Sequence, residues 1–179
     1  MEARWRSDAA ALIVTAQLGK PDFAWLDSLR RLHYPTDRNR VPAHLTLFRS
    51  LPPSAEGEIR RSLARAASNP RPRAQIAGAI DLDSGVALVV QSQELKDIRE
   101  VLAGDFHGLL SAQDSGPWTP HVTIQNKVEP KVARALLREL RAGLEPRALQ
   151  VSGLELIRYV EGAWQPLASC RFRPNQQIR

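Results

Sequence analysis

Apolar and polar positions along the chain fall into blocks that predict seven strands and four helices. Residues 10–18 (Ala-Ala-Leu-Ile-Val-Thr-Ala-Gln-Leu) are almost continuously apolar and carry β-branched side chains, the pattern of a central strand. Gly19 and Pro21 stop it, and Phe23, Leu26 and Leu29 then recur at helical spacing over 22–33, with Asp22 near the start. An Arg- and Pro-containing loop, 34–42, leads to a strand at 44–49. Pro52 and Pro53 close that strand, and Ser54 is placed to cap a helix over 55–67 that carries Glu56 and Glu58 in its first turn. Asn69-Pro70-Arg71-Pro72 breaks the chain again, and two strands, 74–81 and 85–91, follow around Asp83-Ser84-Gly85. The clearest period lies in 94–110, where Leu95, Ile98, Val101, Leu102, Phe106 and Leu109 share one helical face. A polar loop, 111–119, precedes a strand at 120–127. Pro130 opens a helix over 131–142, and 147–159 with 164–173 reads as a closing hairpin around Glu161-Gly162.

The elements come in the same order twice. Strand, helix, strand, helix, strand over 10–81 is matched by the same five elements over 85–159, which predicts two similar lobes, roughly 9–82 and 84–173, within a single domain spanning 1–179. Identity between the halves is weak except at one place. The first middle strand reads Pro42-Ala43-His44-Leu45-Thr46-Leu47 and the second Pro120-His121-Val122-Thr123-Ile124, so both contain His-x-Thr-x with apolar residues at x. The two histidines are 77 positions apart, and the motifs use two of the four histidines and two of the five threonines in the chain.

The spacing has a chemical meaning. Side chains at i and i+2 of a strand share a face, so His44 and Thr46 point one way and Leu45 and Leu47 the other; His121 and Thr123 are likewise opposed to Val122 and Ile124. If a pseudo-twofold axis brings the strands together, two imidazoles and two hydroxyls converge on one cleft. Two threonine hydroxyls can donate to phosphate oxygens. A neutral imidazole can deprotonate a nucleophile while a protonated one protonates the leaving oxygen, which suits in-line displacement at phosphorus without a metal and predicts a bell-shaped pH–rate profile. Neither motif has a nearby Asp or Glu to complete a metal ligand set, so no metal or other cofactor is expected. His33 and His107 lie near predicted helix ends without matching neighbours and are read as structural.

Paired His-x-Thr-x motifs on corresponding strands of two similar lobes resemble the 2H phosphoesterase superfamily, and in particular its bacterial 2′-5′ RNA ligase-like branch. The resemblance covers nearly the whole chain. It implies an α+β fold of two pseudo-twofold-related lobes, each with an antiparallel sheet and outer helices, and an active-site cleft between them. It also implies hydrolysis of a 2′,3′-cyclic phosphate on an RNA end or a nucleotide to a 2′-phosphomonoester, with 2′-5′ ligation as the reverse reaction. By motif match, His44 and His121 take the acid–base roles, and Thr46 and Thr123 the phosphate contacts. Sequence does not decide which histidine is the base; His121 as base for water and His44 as acid is the assignment adopted. The alternatives are a non-catalytic RNA or nucleotide-phosphate binding module on the same fold, and action on ADP-ribose 1″,2″-cyclic phosphate.

Residues flanking the motifs extend the candidate site. Some relatives carry an arginine five positions after the second histidine, where this chain has Asn126 followed by Lys127. Regular strand parity would put Lys127 on the His121 face, as a phosphate partner, and Arg49 on the face opposite His44 unless a bulge returned it. Trp118 and, by parity, Phe48 are candidates to stack a base. Tyr159 and Trp164 are assigned to packing.

Composition adds less. The formal charge is +6, and of 25 basic residues only Lys20, Lys96, Lys127 and Lys131 are lysines, leaving 21 arginines. Arginine favours phosphate binding, but an Arg-, Ala- and Pro-rich chain also fits a GC-rich genome, so the charge only permits a nucleic-acid partner. Cys170 is the single cysteine, which excludes an intramolecular disulfide, and reads as a small hydrophobe. Arg4 and Arg6 precede a short apolar stretch that lacks a small-x-small cleavage pattern, and no run reaches the roughly 18 apolar residues of a membrane span. A cytoplasmic, monomeric protein without membrane contact is expected.

Overall fold

The computed structural model of the chain describes residues 10–175; Arg4, Arg6 and the start of the first predicted half at residue 9 lie outside the described residues. Strand β1 (Leu12–Leu18) is followed by helix α1 (Lys20–His33), β2 (Leu45–Leu51), α2 (Glu56–Ala67), β3 (Arg73–Asp81) and β4 (Val86–Gln91). Then come α3 (Gln93–Asp105), the short α4 (Ala112–Ser115), β5 (His121–Gln125), α5 (Pro130–Gly143), β6 (Arg147–Val160) and β7 (Ala163–Arg171). The fold is a mixed one of helices and antiparallel sheet.

The strands form one sheet in the order β1-β2-β5-β4-β3-β6-β7, and a further β1–β6 pairing brings the order back on itself, as in a barrel. This corrects the expectation of a separate sheet in each half. The third strand of each half pairs across the proposed boundary: β3 pairs with β4 and β6, and β6 pairs with β1 through most of its length. β6 is long enough to serve both sides, pairing with β3 at Arg147–Gln150 and with β1 at Val151–Arg158. The two motif strands, β2 and β5, meet at a single pair, Leu45 opposite Val122.

The core explains the motif pattern. Leu45, Leu47, Val122 and Ile124 are buried to within 1% of their surface, together with Leu26, Leu63, Leu95 and Phe106 from the helices and their ends. Each such side chain contributes about 1.5–3 kcal/mol by leaving water. The apolar x positions of both motifs therefore anchor the strands, and the histidines and threonines are left on the opposite face.

Several local readings change: α3 ends at Asp105, and Val101 on it is exposed. Ser54 does not cap α2: Pro53–Ala55 form a 3₁₀ turn and Ala55 takes the cap position without a side-chain bond. Part of the predicted loop 111–119 is the helical turn α4, capped by the Ser111 hydroxyl accepting from the Asp114 N–H at 3.1 Å. β5 stops at Gln125, because Lys127 adopts φ 60°.

Gly85, at the β4 entry, lies so close to β5 that a Cβ there would stand 1.9 Å from the Gln125 carbonyl oxygen and 2.6 Å from the Asn126 Cα. Both obstacles are backbone, so relief requires moving the end of the second motif strand. Gly85→Ala is expected to lower unfolding free energy by about 2–4 kcal/mol. Gly104→Ala, in open space on α3, is expected to raise it by about 0.5 kcal/mol. Urea unfolding of the two variants checks the pair.

Candidate active site

His44, Thr46, His121 and Thr123 line one cavity of about 490 Å³, which is also lined by Arg49, Trp118 and Trp164. The side chains come from β2 and the residue just before it, from β5 and the loop before it, and from the start of β7.

Both imidazoles are held in the same way. Nδ1 of His44 lies 2.7 Å from the Pro42 carbonyl oxygen, and Nδ1 of His121 lies 2.7 Å from that of Thr119. A carbonyl only accepts, so each Nδ1 carries a proton and donates it. Nε2 is then the atom left for chemistry on each ring, as acceptor when the ring is neutral and as donor when it is charged. The His44 ring also packs against Trp164, with centroids 4.5 Å apart and planes at 53°. Burial pushes His44 down to about 4, with the positive charges of Arg30 and Arg49 and the neighbouring His121 acting the same way and the bond to Pro42 opposing them. In the absence of an anion His44 is therefore neutral at pH 7.

Helix α1 registers the two motif strands. The Asp27 carboxylate accepts from the Ala43 N–H at 2.9 Å, immediately before His44. Arg30, three residues on and 3% exposed, donates to the Thr123 carbonyl at 2.8 Å and to Asn39 Oδ1 at 2.8 Å. Its guanidinium lies 4.2 Å from the Tyr34 ring centroid. Desolvation favours the neutral form of this guanidinium, and nearby Tyr34 and Asp27 oppose that effect.

Each motif strand bulges just after its threonine. Against β1, pairing jumps from Thr15–Thr46 to Val14–Phe48, which leaves Leu47 as the extra residue. Against β4 it jumps from Ala87–Thr123 to Val86–Gln125, which leaves Ile124. A bulge reverses side-chain parity beyond it. Phe48 is thus turned into the core, fully buried and edge-on to Phe106 at 5.2 Å, and is not available to stack a base. Arg49 is turned to the cavity. Gln125 is buried, and its Oε1 lacks a hydrogen-bond partner. Lys127, which regular parity placed beside His121, is exposed in the following turn and is absent from the cavity lining.

The β2 bulge is bracketed by Asp114 and Arg99, to which sequence reasoning assigned no role, and by Trp118. The Asp114 carboxylate, 3% exposed, accepts from the N–H groups of Arg49 and Ser50 at 2.9 and 3.0 Å. Arg99 donates to the Leu47 carbonyl at 2.9 Å and to the Asp114 carbonyl at 2.8 Å, between the faces of Phe48 and Trp118. Trp118 donates its indole N–H to the Thr46 carbonyl at 3.0 Å. Trp164, assigned to packing, stands against His44 in the cavity. No sequence signal marked Asp114 or Arg99, since their partners on β2 lie 52 to 65 positions away.

His33 and His107 do not line the cavity. Cys170 is half-buried on β7, and burial pushes its thiol up. Among the described residues no group of three or more His, Cys, Asp or Glu side chains is placed to hold a metal ion, and no helix is long and apolar enough to cross a membrane.

Residues 19–163 match the family model of the 2′-5′ RNA ligase superfamily. Among solved structures the chain is similar to TT0787 of Thermus thermophilus, at 18% identity and a TM-score of 0.63 over 93% of this chain and 100% of that one. It is also similar to E. coli LigT, solved with 3′-AMP and with NADP+, in each case at 17% identity and a TM-score of 0.64 over 92% of this chain and 98% of that one. These likenesses are of fold. No curated protein matches the chain in sequence.

Two measurements check the geometry. Asp114→Ala leaves two backbone N–H groups without their acceptor and is expected to cost about 2–4 kcal/mol in chemical denaturation. By NMR the His44 ring, assigned by its loss in His44→Asn, is expected to titrate near 4 in the empty protein and higher when phosphate is added. A group whose pKa rises on binding takes up a proton with the ligand, so phosphate affinity should increase as pH falls from 7 toward 5. A midpoint near the ordinary histidine value in the empty protein contradicts this account.

Proposed function

The chain belongs to the 2′-5′ RNA ligase superfamily, and on that footing we propose that it is a metal-independent phosphodiesterase that opens 2′,3′-cyclic phosphates on RNA ends or small nucleotides. The observation that carries the reading is the matched pair of imidazoles, each with Nδ1 committed to a backbone carbonyl and Nε2 free, beside two threonines on the same face. A metal-free displacement at phosphorus needs one group to take a proton and another to return one, and a paired site of this kind supplies both. LigT binds 3′-AMP, ATP and NADP+ in its solved structures, which supports a nucleotide in the corresponding cavity here.

The phosphate is seated between Thr46 and Thr123, whose hydroxyls donate to its non-bridging oxygens, with Arg49 balancing its charge. His121 Nε2 takes a proton from water as the water oxygen attacks phosphorus. The P–O3′ bond breaks in line, and His44 Nε2–H protonates O3′, leaving a 2′-phosphomonoester. Water's oxygen is then on phosphorus and its proton on His121, while O3′ holds the proton that His44 gave. The anion itself arms His44: a negative charge beside the ring opposes the burial that keeps it neutral in the empty site. With an RNA 5′-hydroxyl in place of water, the same displacement forms a 2′-5′ linkage. Trp118, held to the Thr46 backbone, forms one wall of the seat. The pseudo-twofold relation of the two motifs belongs to this reading, as does a monomer working in the cytoplasm.

The test is hydrolysis of nucleoside 2′,3′-cyclic monophosphates and of a cyclic-phosphate-ended oligoribonucleotide in the presence of EDTA. Wild type is expected to yield 2′-phosphates with a bell-shaped dependence of kcat on pH. His44→Ala and His121→Ala are each expected to lose about 10²–10⁴-fold in kcat, and the double variant to lose little more than either, since the two act as a unit. Tight binding without turnover in wild type identifies a binding module instead, and retained activity in either single variant contradicts the mechanism.

A further inference from the structure

A second cavity, of about 400 Å³, adjoins the first and shares His44 and Trp164 with it. It lies on the same face of the sheet. Ile13 of β1 lines the first cavity, and Thr15 and Gln17, two and four positions on, line the second. Their cross-strand partners on β6 are Ile157, Glu155 and Gly153. The His44–Trp164 ring contact therefore stands between two compartments of one continuous surface.

The two compartments differ in charge. Arg49 and Arg99 line the first, together with Asp114, whose carboxylate is taken up by the Arg49 and Ser50 N–H groups. In a chain with 25 basic residues, the second has no lysine or arginine in its lining and one acid, Glu155. Among the described residues Glu155 makes no salt bridge within 4.0 Å. Gln17 Nε2 donates to one carboxylate oxygen at 3.3 Å, a long bond, and Ser169 donates to the Gln17 Oε1 at 3.3 Å. Burial holds the Glu155 carboxyl above its ordinary range, with Thr15 and Gln17 opposing the effect as hydrogen-bonding partners. A half-buried carboxyl that lacks a cation seeks hydrogen-bond donors and repels phosphate. The occupant of this compartment is therefore the uncharged part of a nucleotide whose phosphate sits among the threonines.

We propose that the second cavity is the base subsite and that Glu155 selects guanine in it; this rests on the cyclic-phosphate reading given above. Guanine is the base that offers two adjacent donors, N1–H and N2–H, on one edge, the match for a carboxylate. Adenine places an acceptor, N1, beside its amino donor; uracil offers a single N–H between two carbonyls; cytosine pairs its amino group with acceptors. Trp164 supplies a face for stacking, and Phe23 and Ile157 complete an apolar wall. The phosphate then stands on the arginine side of His44 and the base on the other, which fixes the direction in which a nucleotide lies across the site.

The experiment measures kcat/KM for the four nucleoside 2′,3′-cyclic monophosphates with wild type and E155Q, with melting temperatures to confirm that both fold. Wild type is expected to favour the guanosine substrate over the uridine one by about tenfold, the value of one well-placed hydrogen-bonded pair. In E155Q that ratio is expected to fall to near one. Equal rates for all four bases, or a loss in E155Q that is uniform across them, overturns the subsite. If no cyclic nucleotide is turned over, the catalytic reading fails and the subsite is judged by calorimetry. Wild type must then bind guanosine 2′-monophosphate about tenfold more tightly than uridine 2′-monophosphate, and E155Q must erase the difference; equal affinities overturn it. If E155Q does not fold, the base preference of wild type alone decides, through the same two assays.

Discussion

One turn of α1 holds the backbone of both histidine strands. Asp27 accepts from the N–H that precedes His44, and Arg30 donates to the carbonyl of Thr123. The strands need that support, because they share only the Leu45–Val122 pair, too little ladder to set their relative position. Both ties are hydrogen bonds to charged groups that are largely buried, where such bonds are stronger than at the surface and costly to lose. Arg30 is further fixed by Asn39 and by the Tyr34 ring. The relative placement of the two imidazoles follows in part from this arrangement.

Around that frame the site is built by local departures from regular strand geometry. A bulge follows each motif threonine, and each has a consequence. In β2 it sends Phe48 into the core and Arg49 to the cavity. In β5 it buries Gln125, and the strand ends there, ahead of the left-handed Lys127. A bulge leaves backbone groups outside the ladder, and these must find partners elsewhere. At β2 those partners are Asp114, Arg99 and Trp118, which all reach in from α3 and the α4 region. One wall of the cavity is thus the set of side chains that satisfies the bulge.

Much of this was legible in the residue pattern because it rests on short-range periodicity. The strand and helix order, the burial of Leu45, Leu47, Val122 and Ile124, and the common face of each His and Thr all follow from periods of 2 and 3.6 residues that recur within one element. A period misleads where an irregularity interrupts it. Parity carried from His121 to Lys127 crosses the Ile124 bulge, and parity carried from His44 to Phe48 crosses the one at Leu47. The expectation of a separate sheet in each half failed for a related reason. The order of elements repeats, but strand pairing is set by which edges meet, and β3 and β6 each pair beyond their own half. Ser54 had the right chemistry for a cap, yet Pro53 starts a 3₁₀ turn that moves the first α-helical turn past it.

The sequence by itself determined the family, the two motifs and the face each presents, because strand alternation and a duplicated pattern are written in neighbouring residues. Only the tertiary structure decided which distant groups complete the cavity. Arg99, Asp114 and Trp164 reach it from α3, the α4 region and β7, and no local spacing records that meeting. It depends on how the sheet closes through β1 and β6 and on where backbone groups freed from the ladder find hydrogen-bond partners, and both are settled by packing over the whole chain.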